Sequence, residues 1–241
     1  MIRVSLLILY MAEWQNELDS YNSSTNGGVE NFDFEDILYK YFSDFNWDYT
    51  GILKNDGETI PIPKVSNCVT AIFEVDALET SEEMAEELDA TFIEPEHSRQ
   101  YPDITLRGGV FGDNLIALDI KTARLKSDGE RISGMTLGSY GQYFSNPEKD
   151  TQWTRFPYGA YDKHWIVCFA YQWDDDLDSR EMVYEVETIV GQKWELASKT
   201  SGSGTTTAIG SQTDMKALRN REAVFESEKE FEEYWQEYGN D

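Results

Sequence analysis

Residues 101–121 read YPDITLRGGVFGDNLIALDIK, and this stretch predicts a β-hairpin. Its two ends alternate between apolar and polar residues, as strands do, and the glycine-rich segment between them is typical of a connection. Side chains two residues apart lie on one face of a strand, so Asp119 and Lys121 share a face. If the strands pair, Asp103 lies beside Asp119. Two carboxylates and one ammonium group are the side chains needed to hold Mg²⁺ and to activate water against a phosphodiester.

The composition limits the class of protein. With 241 residues, of which 40% are hydrophobic and 14% aromatic, the chain can build one good-sized globular core. It carries 46 Asp and Glu residues against 20 Lys and Arg residues, a formal net charge of −26. Nucleic-acid-binding proteins are normally basic, so this balance argues against DNA binding in an ordinary solvent. In about 1 M salt the Debye length falls to about 3 Å and self-repulsion is screened. The composition therefore leads to the hypothesis of a halophilic source.

The sequence does not predict a membrane protein. The apolar run in residues 1–11 is too short to span a bilayer, and no signal-peptidase motif follows it. Cys68 and Cys168 stand in apolar runs and there is no CxxC pair, so we expect two buried free thiols in a reducing compartment. We therefore expect a cytoplasmic protein without a membrane partner.

Two regions are distinguished along the chain. Residues 1–30 are mostly polar and become rich in Gly, Asn and Ser, which predicts a flexible N-terminal arm. Residues 31–241 predict a single domain. In that domain, apolar periodicity and turn residues predict helices at 32–46, 67–88 and 225–238, a second hairpin turn at 55–57, and strands at 164–171, 182–190 and 193–197, with a turn at Gly191 between the last two strands.

Three features outside the hairpin have an ordinary interpretation. Glu74 falls in the second predicted helix, where Val69, Ile72, Phe73, Val75 and Leu78 form the apolar pattern, and a lone helical glutamate is usually solvated. His164 is interpreted as a core histidine rather than a base or a ligand. The segment 201–207, SGSGTTT, is by default a flexible linker, although glycines also allow backbone amides to approach a DNA groove closely.

The chain from about residue 32 onward resembles the EcoRV-type type II restriction endonucleases of the PD-(D/E)xK nuclease superfamily. A PD pair followed by DxK is a weak signal by itself, but here the agreement in order and approximate spacing extends over most of the chain. The matching pieces are AIFE (71–74), YPDITL (101–106), ALDIKT (117–122), TLGSY (136–140), KHWIV (163–167), KW (193–194), SGSGTTTAIGS (201–211) and FESEKEFEEYW (225–235).

The resemblance implies an α+β fold of the restriction-endonuclease type, with a central mixed β-sheet flanked by helices. It implies a U-shaped homodimer whose subunits contain dimerisation and DNA-binding subdomains. Asp103 and Asp119 match the metal-binding carboxylates, and Lys121 matches the active-site lysine. Glu74 matches the family's helix glutamate, an auxiliary carboxylate near the metal site. The implied metal is Mg²⁺.

The resemblance also implies how DNA is bound and cut. A minor-groove loop is expected at 97–100 and a major-groove recognition loop at 202–207. The expected DNA-binding residues are Gly202, Ser203, Gly204, Thr205, Thr206, Thr207, Ser98, Arg99, Gln100 and Thr122. The implied activity is Mg²⁺-dependent cutting of double-stranded DNA to blunt ends at a short palindrome, with GATATC as the candidate. The enzyme would serve a restriction–modification system. A cognate DNA methyltransferase is expected in the same system, and the resemblance implies no stable contact with it.

Some positions depart from the family pattern. Thr205 and Ala208 stand where the pattern has Asn in the recognition loop, and Thr cannot make the bidentate contact that Asn makes with adenine. Arg99 replaces an Asn of the minor-groove loop, where an Arg suits a narrow groove. Ala123 replaces a Thr after the catalytic lysine. Recognition of GATATC is therefore open.

Two other functions stay open at this point. A structure-specific or repair nuclease with the same core would cut without sequence preference and would not need the 202–207 loop. An acidic DNA-mimic inhibitor would fit the net charge of −26, but it would have no use for the carboxylates and lysine of the hairpin.

Overall fold

The computed structural model describes residues 33–202 and 208–238. The predictions for residues 1–30 and for 203–207 therefore lie outside the described residues. The described part has the expected α+β architecture, a five-stranded mixed sheet flanked by helices.

The helices and strands are numbered in chain order. The helices are α1 (Phe34–Phe42), α2 (Ser66–Glu87), α3 (Lys193–Leu196), α4 (Met215–Asn220) and α5 (Glu228–Glu237). The strands are β1 (Ile52–Leu53), β2 (Thr59–Ile60), β3 (Thr91–Ile93), β4 (Ile104–Arg107), β5 (Ile116–Arg124), β6 (Arg131–Met135), β7 (Gly138–Ser139), β8 (Lys163–Trp173), β9 (Val183–Gln192), β10 (Ala208–Ile209) and β11 (Gln212–Asp214).

The predicted hairpin forms the middle of the main sheet. The strand order is β3-β4-β5-β8-β9, and only the β5–β8 pair is parallel. In the hairpin, Ile104 lies opposite Leu118, so Asp103, one residue before β4, comes next to the part of β5 that carries Asp119. The prediction of a hairpin with neighbouring carboxylates is confirmed in its backbone geometry.

Both faces of the sheet are covered, which explains why β8 is apolar along nearly its whole length. Trp165, Phe169 and Tyr171 alternate on one face, where they meet aromatic rings that include Phe34 of α1 and Phe73 of α2. On the other face, Ile166, Cys168 and Ala170 belong to a second buried cluster with residues of α3, α4 and α5. The hairpin is therefore held between two apolar layers.

The two helices on the first face largely match their predictions. In α1, Phe34, Ile37, Leu38 and Phe42 are all buried, as their spacing predicts. In α2, Val69 and Phe73 are buried and Ile72 and Leu78 are half-buried. The prediction for Val75 was wrong, because it is 66% exposed. Val75 is two residues from both Phe73 and Ala77 on their buried stripe, which turns it to the far side of the helix.

Residues 193–197 were wrongly predicted as a strand. Lys193–Leu196 form the short helix α3, and Ala197 follows it in an extended conformation. The helix forms because Gln192 and Glu195 make a reciprocal capping box, in which Glu195 Oε2 accepts the backbone N–H of Gln192 at 2.7 Å. Gly191 lies inside β9 rather than in a turn. A Cβ atom at Gly191 would lie 3.1 Å from the Leu196 side chain, so glycine allows α3 to pack closely against the strand.

The structure also bears on the expectations for the two cysteines and for membrane-spanning helices. Cys168 is buried and Cys68 is half-buried, and both are free thiols. Among the described residues, no helix is long and apolar enough to cross a membrane.

Candidate active site

The centre of the candidate site is an ion pair on β5. Asp119 is only 5% exposed, and its Oδ2 lies 2.6 Å from Nζ of the mostly buried Lys121. The two side chains share a face because they are two residues apart in a strand, as predicted. Burial acts to lower the pKa of Lys121, but the charges of Asp119 and Asp103 outweigh it and raise the pKa above its usual value. Lys121 is therefore a cation at neutral pH.

Asp103 completes a pair of carboxylates next to this lysine. Its Oδ2 accepts the backbone N–H of Ile120 at 2.7 Å, and its side chain shares a hydrogen bond with Asp119. Burial raises the pKa of Asp103, the charge of Asp119 raises it further, and Lys121 only partly opposes these effects. Burial also acts to raise the pKa of Asp119, but Lys121 and Lys193 outweigh it, so the net pKa is lowered. Asp103 is therefore the carboxylate that keeps a proton when no cation is bound.

Glu74 reaches the same site from α2. It lines a cavity of about 230 Å³ together with Asp103, Ile120 and Ser98. Burial raises the pKa of Glu74, the charge of Lys121 opposes this, and Asp119 adds to it. Within the described part of the chain the Glu74 side chain makes no hydrogen bond, so its carboxylate remains available to a ligand.

The expected minor-groove loop lies at the rim of this cavity, since His97 and Ser98 also line it. Ser98 and Arg99 are exposed, whereas Gln100 is 7% exposed. The Gln100 side-chain oxygen accepts the backbone N–H of Glu96 at 2.8 Å, and a ring nitrogen of His97 lies 3.0 Å from the carbonyl of Gln152. These contacts fix the loop, and they leave Ser98 and Arg99 as its exposed side chains.

Two other expected DNA-binding residues lie in different surroundings. Thr122 is half-buried and its hydroxyl lies 3.2 Å from that of Thr70 on α2, so it faces the helix. Gly202 donates its backbone N–H to the carbonyl of Ala208 at 2.8 Å, which joins the two ends of the 203–207 segment. A Cβ atom at Gly202 would lie 2.9 Å from that of Ala208, so only glycine allows this close approach.

Lys193, at the start of α3, is a charged neighbour of the site that the sequence did not reveal. It is 1% exposed, and its Nζ lies 3.8 Å from the ring centroid of Tyr101, close enough for a cation–π contact. Nζ has no hydrogen-bond partner among the described residues. Burial lowers the pKa of Lys193 to about 7, although the charge of Asp119 opposes this. The KW motif at 193–194 contained the signal, but the predicted strand gave Lys193 no defined position.

The side chains fit a hard divalent cation. Asp103, Asp119 and Glu74 offer carboxylate oxygens, which Mg²⁺ prefers, and Lys121 supplies only one positive charge against them. Burial, and after it the charge of Asp119, raises the pKa of Asp103 to about 8, and the single positive charge of Lys121 does not offset them. A bound cation would remove this shortage of positive charge, so the ionised pair is suited to holding one.

Comparisons with known proteins identify the class and then the family. A family model described as Restriction endonuclease EcoRV matches residues 43–241. The type II restriction enzyme EcoRV of Escherichia coli is 29% identical over 212 residues, which cover 82% of this chain and 85% of that relative. With the mixed sheet and the acidic hairpin, these matches define a type II site-specific deoxyribonuclease, a hydrolase that acts on double-stranded DNA. The chain belongs to the EcoRV restriction endonuclease family. Endonucleases of this kind generally depend on a divalent metal ion.

Proposed function

We propose that this protein is a Mg²⁺-dependent endonuclease of a restriction–modification system that cuts double-stranded DNA to blunt ends at a short palindrome. The observation that supports it most is the pair of partly to fully buried carboxylates, Asp103 and Asp119, beside the protonated Lys121. Such a group has little value as a structural element, because burying two neighbouring carboxyl groups is costly and keeps Asp103 protonated in the absence of a cation. It is useful in a site that receives a cation and a phosphate.

Each side chain of the site has a role in this proposal. Asp103 and Asp119 would hold Mg²⁺, with Glu74 as the auxiliary carboxylate on the far side of the cavity. When bound, the ion supplies Lewis-acid stabilisation of the phosphate. Lys121 is a cation rather than a base, so it orients the attacking water and offsets the charge that develops on the phosphate oxygens. The release of the Asp103 proton accompanies metal binding.

DNA would be gripped by two loops of each subunit of a U-shaped homodimer. Ser98 and Arg99 would contact the minor groove, and Gln100 would hold their loop in position. Gly202 would fix one end of the major-groove segment 203–207. Thr122 would stabilise the end of β5. The hairpin β1–β2 supports a dimerisation role, because Ile52 is 47% and Leu53 72% exposed in it. A two-fold dimer presents each loop twice, which fits a palindromic target.

The same proposal covers the domain organisation, the target sequence, the accompanying methyltransferase and the source of the protein. The domain after the N-terminal arm, residues 31–241, would contain both the dimerisation and the DNA-binding subdomains. GATATC is the candidate target, although Thr205 and Ala208 change the expected adenine contacts. A DNA methyltransferase of the same system would protect the host's own sites. The net charge of −26 supports a halophilic source, in which high salt screens the repulsion between protein and DNA.

The proposal is tested by digesting phage DNA with the full-length protein in Mg²⁺ and high KCl. We expect discrete fragments, and sequencing their ends gives the target and the cut position. Lys121→Ala should leave a folded dimer that does not cut, and Ca²⁺ should support specific binding with little cleavage. A smear of products would instead favour a repair nuclease. If the folded protein leaves DNA intact under all metal conditions but blocks other DNA-binding enzymes, it is a DNA mimic.

A further inference from the structure

A second group of potential metal ligands lies away from the acidic hairpin, between β8 and α5. His164 of β8 and Glu228 and Glu232 of α5 each offer one ligand atom, and these three atoms lie within 4.8 Å of one another. His164 is 2% exposed, and both glutamates are half-buried. Glu228 and Glu232 are four residues apart, so they project from the same face of the helix.

The histidine has one nitrogen free for a ligand. Its Nδ1 lies 2.7 Å from the hydroxyl oxygen of Tyr101, and Nε2 has no hydrogen-bond partner among the described residues. Burial lowers the pKa of His164, with Lys193 and Lys163 adding to the effect, so the ring is neutral. When Nδ1 donates its proton to the Tyr101 oxygen, Nε2 carries the lone pair. A hydrogen bond of this kind is the usual support for a metal-binding imidazole.

Glu232 likewise lacks a partner. In the described part of the chain its side chain makes no hydrogen bond and no ion pair. Burial, with Glu228 adding to it, raises its pKa, and Lys193 and Lys163 only partly oppose this rise. A half-buried carboxylate without a partner is costly, so a bound cation would relieve that cost. Glu228 is already paired, because its Oε2 lies 2.9 Å from Nζ of Lys163. Lys163 is almost half exposed, so it can turn into solvent and release Glu228.

We propose that His164, Glu228 and Glu232 form a second, structural site for a divalent transition-metal ion of the Zn²⁺ type. One imidazole nitrogen and two carboxylate oxygens suit Zn²⁺, whereas the all-carboxylate hairpin site suits Mg²⁺. Ligand atoms about 2.1 Å from a tetrahedral ion are about 3.4 Å apart, so ligand atoms that are now up to 4.8 Å apart must approach each other by up to about 1.4 Å. Rotation of the two glutamate side chains can provide that movement.

The surroundings leave room for a fourth ligand. Glu228 and Glu232 line a cavity of about 320 Å³, together with Glu148 and Asp162. The cavity can hold water, and water commonly occupies the remaining position of a zinc ion. A metal ion here would join the C-terminal helix α5 directly to β8 of the central sheet. Its expected effect is therefore on stability, and it does not depend on the proposed DNA cleavage.

The test measures Zn²⁺ binding in a protein whose hairpin site has been removed. The full-length Asp103→Asn/Asp119→Asn variant is stripped with EDTA, dialysed against buffered Zn²⁺, and analysed for bound metal. We expect one equivalent of Zn²⁺. At free Zn²⁺ 100-fold above Kd, we expect the melting temperature to rise by roughly 5–10 °C. Co²⁺ in place of Zn²⁺ should give the visible absorption of a four-coordinate site.

Adding Glu232→Gln to this variant should weaken Zn²⁺ binding at least tenfold and remove the rise in melting temperature. The matched control is Glu233→Gln, since Glu233 is 63% exposed on the same helix and pairs with Lys229 instead. Glu228→Gln is a second variant, used if circular dichroism in EDTA shows that Glu232→Gln is unfolded. The proposal is overturned if the Asp103→Asn/Asp119→Asn variant, with no further substitution, binds no Zn²⁺. It is also overturned if folded variants at position 232 or 228 bind Zn²⁺ as tightly as the control.

Discussion

The carboxylate of Asp103 accepts the backbone N–H of Ile120 and shares a further hydrogen bond with Asp119. These contacts fix its position, but only Lys121 supplies a nearby balancing charge on the hairpin. The folded protein therefore holds Asp103 in a place where ionisation is unfavourable. In the metal-free protein this buried carboxylate therefore lowers the stability of the fold, a cost that is common at functional sites.

This cost predicts that Asp103→Asn stabilises the metal-free protein. The pKa of Asp103 is raised on folding, so the native state binds its proton more tightly, and stability from this group is lost as pH rises from about 4 through the folded pKa. Asparagine keeps the acceptor for Ile120 and removes the charge. We expect a gain of roughly 1–3 kcal/mol at pH 8.5, shrinking at pH 5, together with loss of cleavage.

Urea denaturation in EDTA at the two pH values measures this change. The control is Asp113→Asn in the connection of the same hairpin, where the carboxylate is fully exposed and little change is expected. If the Asp103→Asn variant is less stable than the wild type at pH 8.5, ionisation of Asp103 does not destabilise the folded protein and the prediction is wrong.

The residues of the site differ in how well the sequence could reveal them. Asp119 and Lys121 were predictable because strand geometry alone puts residues two apart on one face. Glu74 needed the family resemblance, since no local pattern connects a helix residue to a hairpin thirty positions later. Lys193 and the group around His164 were not predictable, because only tertiary packing brings α3 and α5 to the sheet. Roles for all these side chains remain predictions.

At the level of elements, α5 closes the second apolar layer. Phe231 and Trp235 are buried in that layer, and Phe231 packs edge-on against Phe144. Ser227 caps the helix by accepting the backbone N–H of Glu230 at 3.2 Å, and Glu230 Oε2 accepts the backbone N–H of Glu226. The helix start is thus fixed by the side chains of Ser227 and Glu230.

Ser227→Ala should destabilise the protein by about 1 kcal/mol, because the first turn of α5 loses its side-chain acceptor. For a chain of this size that corresponds to a fall in melting temperature of about 2–4 °C. Differential scanning calorimetry measures it, and Ser127→Ala in an exposed turn is the control. Equal melting temperatures for the two variants would mean that the cap contributes nothing.

Element prediction succeeded where the local pattern was long and failed where it was short. α1 has four buried residues at helical spacing, and β8 is a long apolar run, so neither depended on the rest of the molecule. The segment 193–197 is too short for a period to be recognised. There the capping box of Gln192 and Glu195 decided in favour of a helix, and Trp194 gave a misleading preference for a strand.

At the level of the whole molecule, the net charge of −26 opposes both folding and contact with DNA. If the protein comes from a salt-rich cytoplasm, its free energy of unfolding should rise as KCl is increased from 0.1 to 2 M. The steepest change is expected below about 1 M, where the Debye length falls from about 10 Å to about 3 Å. Urea denaturation at each KCl concentration measures this, and stability that falls with KCl would count against the halophilic hypothesis.

The bridge between Gly202 and Ala208 has a consequence for how such enzymes diverge. Ala208 also lies opposite Ser139 in the small β7–β10 sheet, whereas the carboxylates are carried by the central sheet. The residues that flank the 203–207 segment are thus hydrogen-bonded to each other, and they are carried by the β7–β10 sheet rather than by the central sheet. If this segment reads DNA bases, as proposed, substitutions between its two ends would change base preference without moving the proposed metal-binding carboxylates Asp103 and Asp119. On the proposed function, new target specificities would then arise with an unchanged catalytic site.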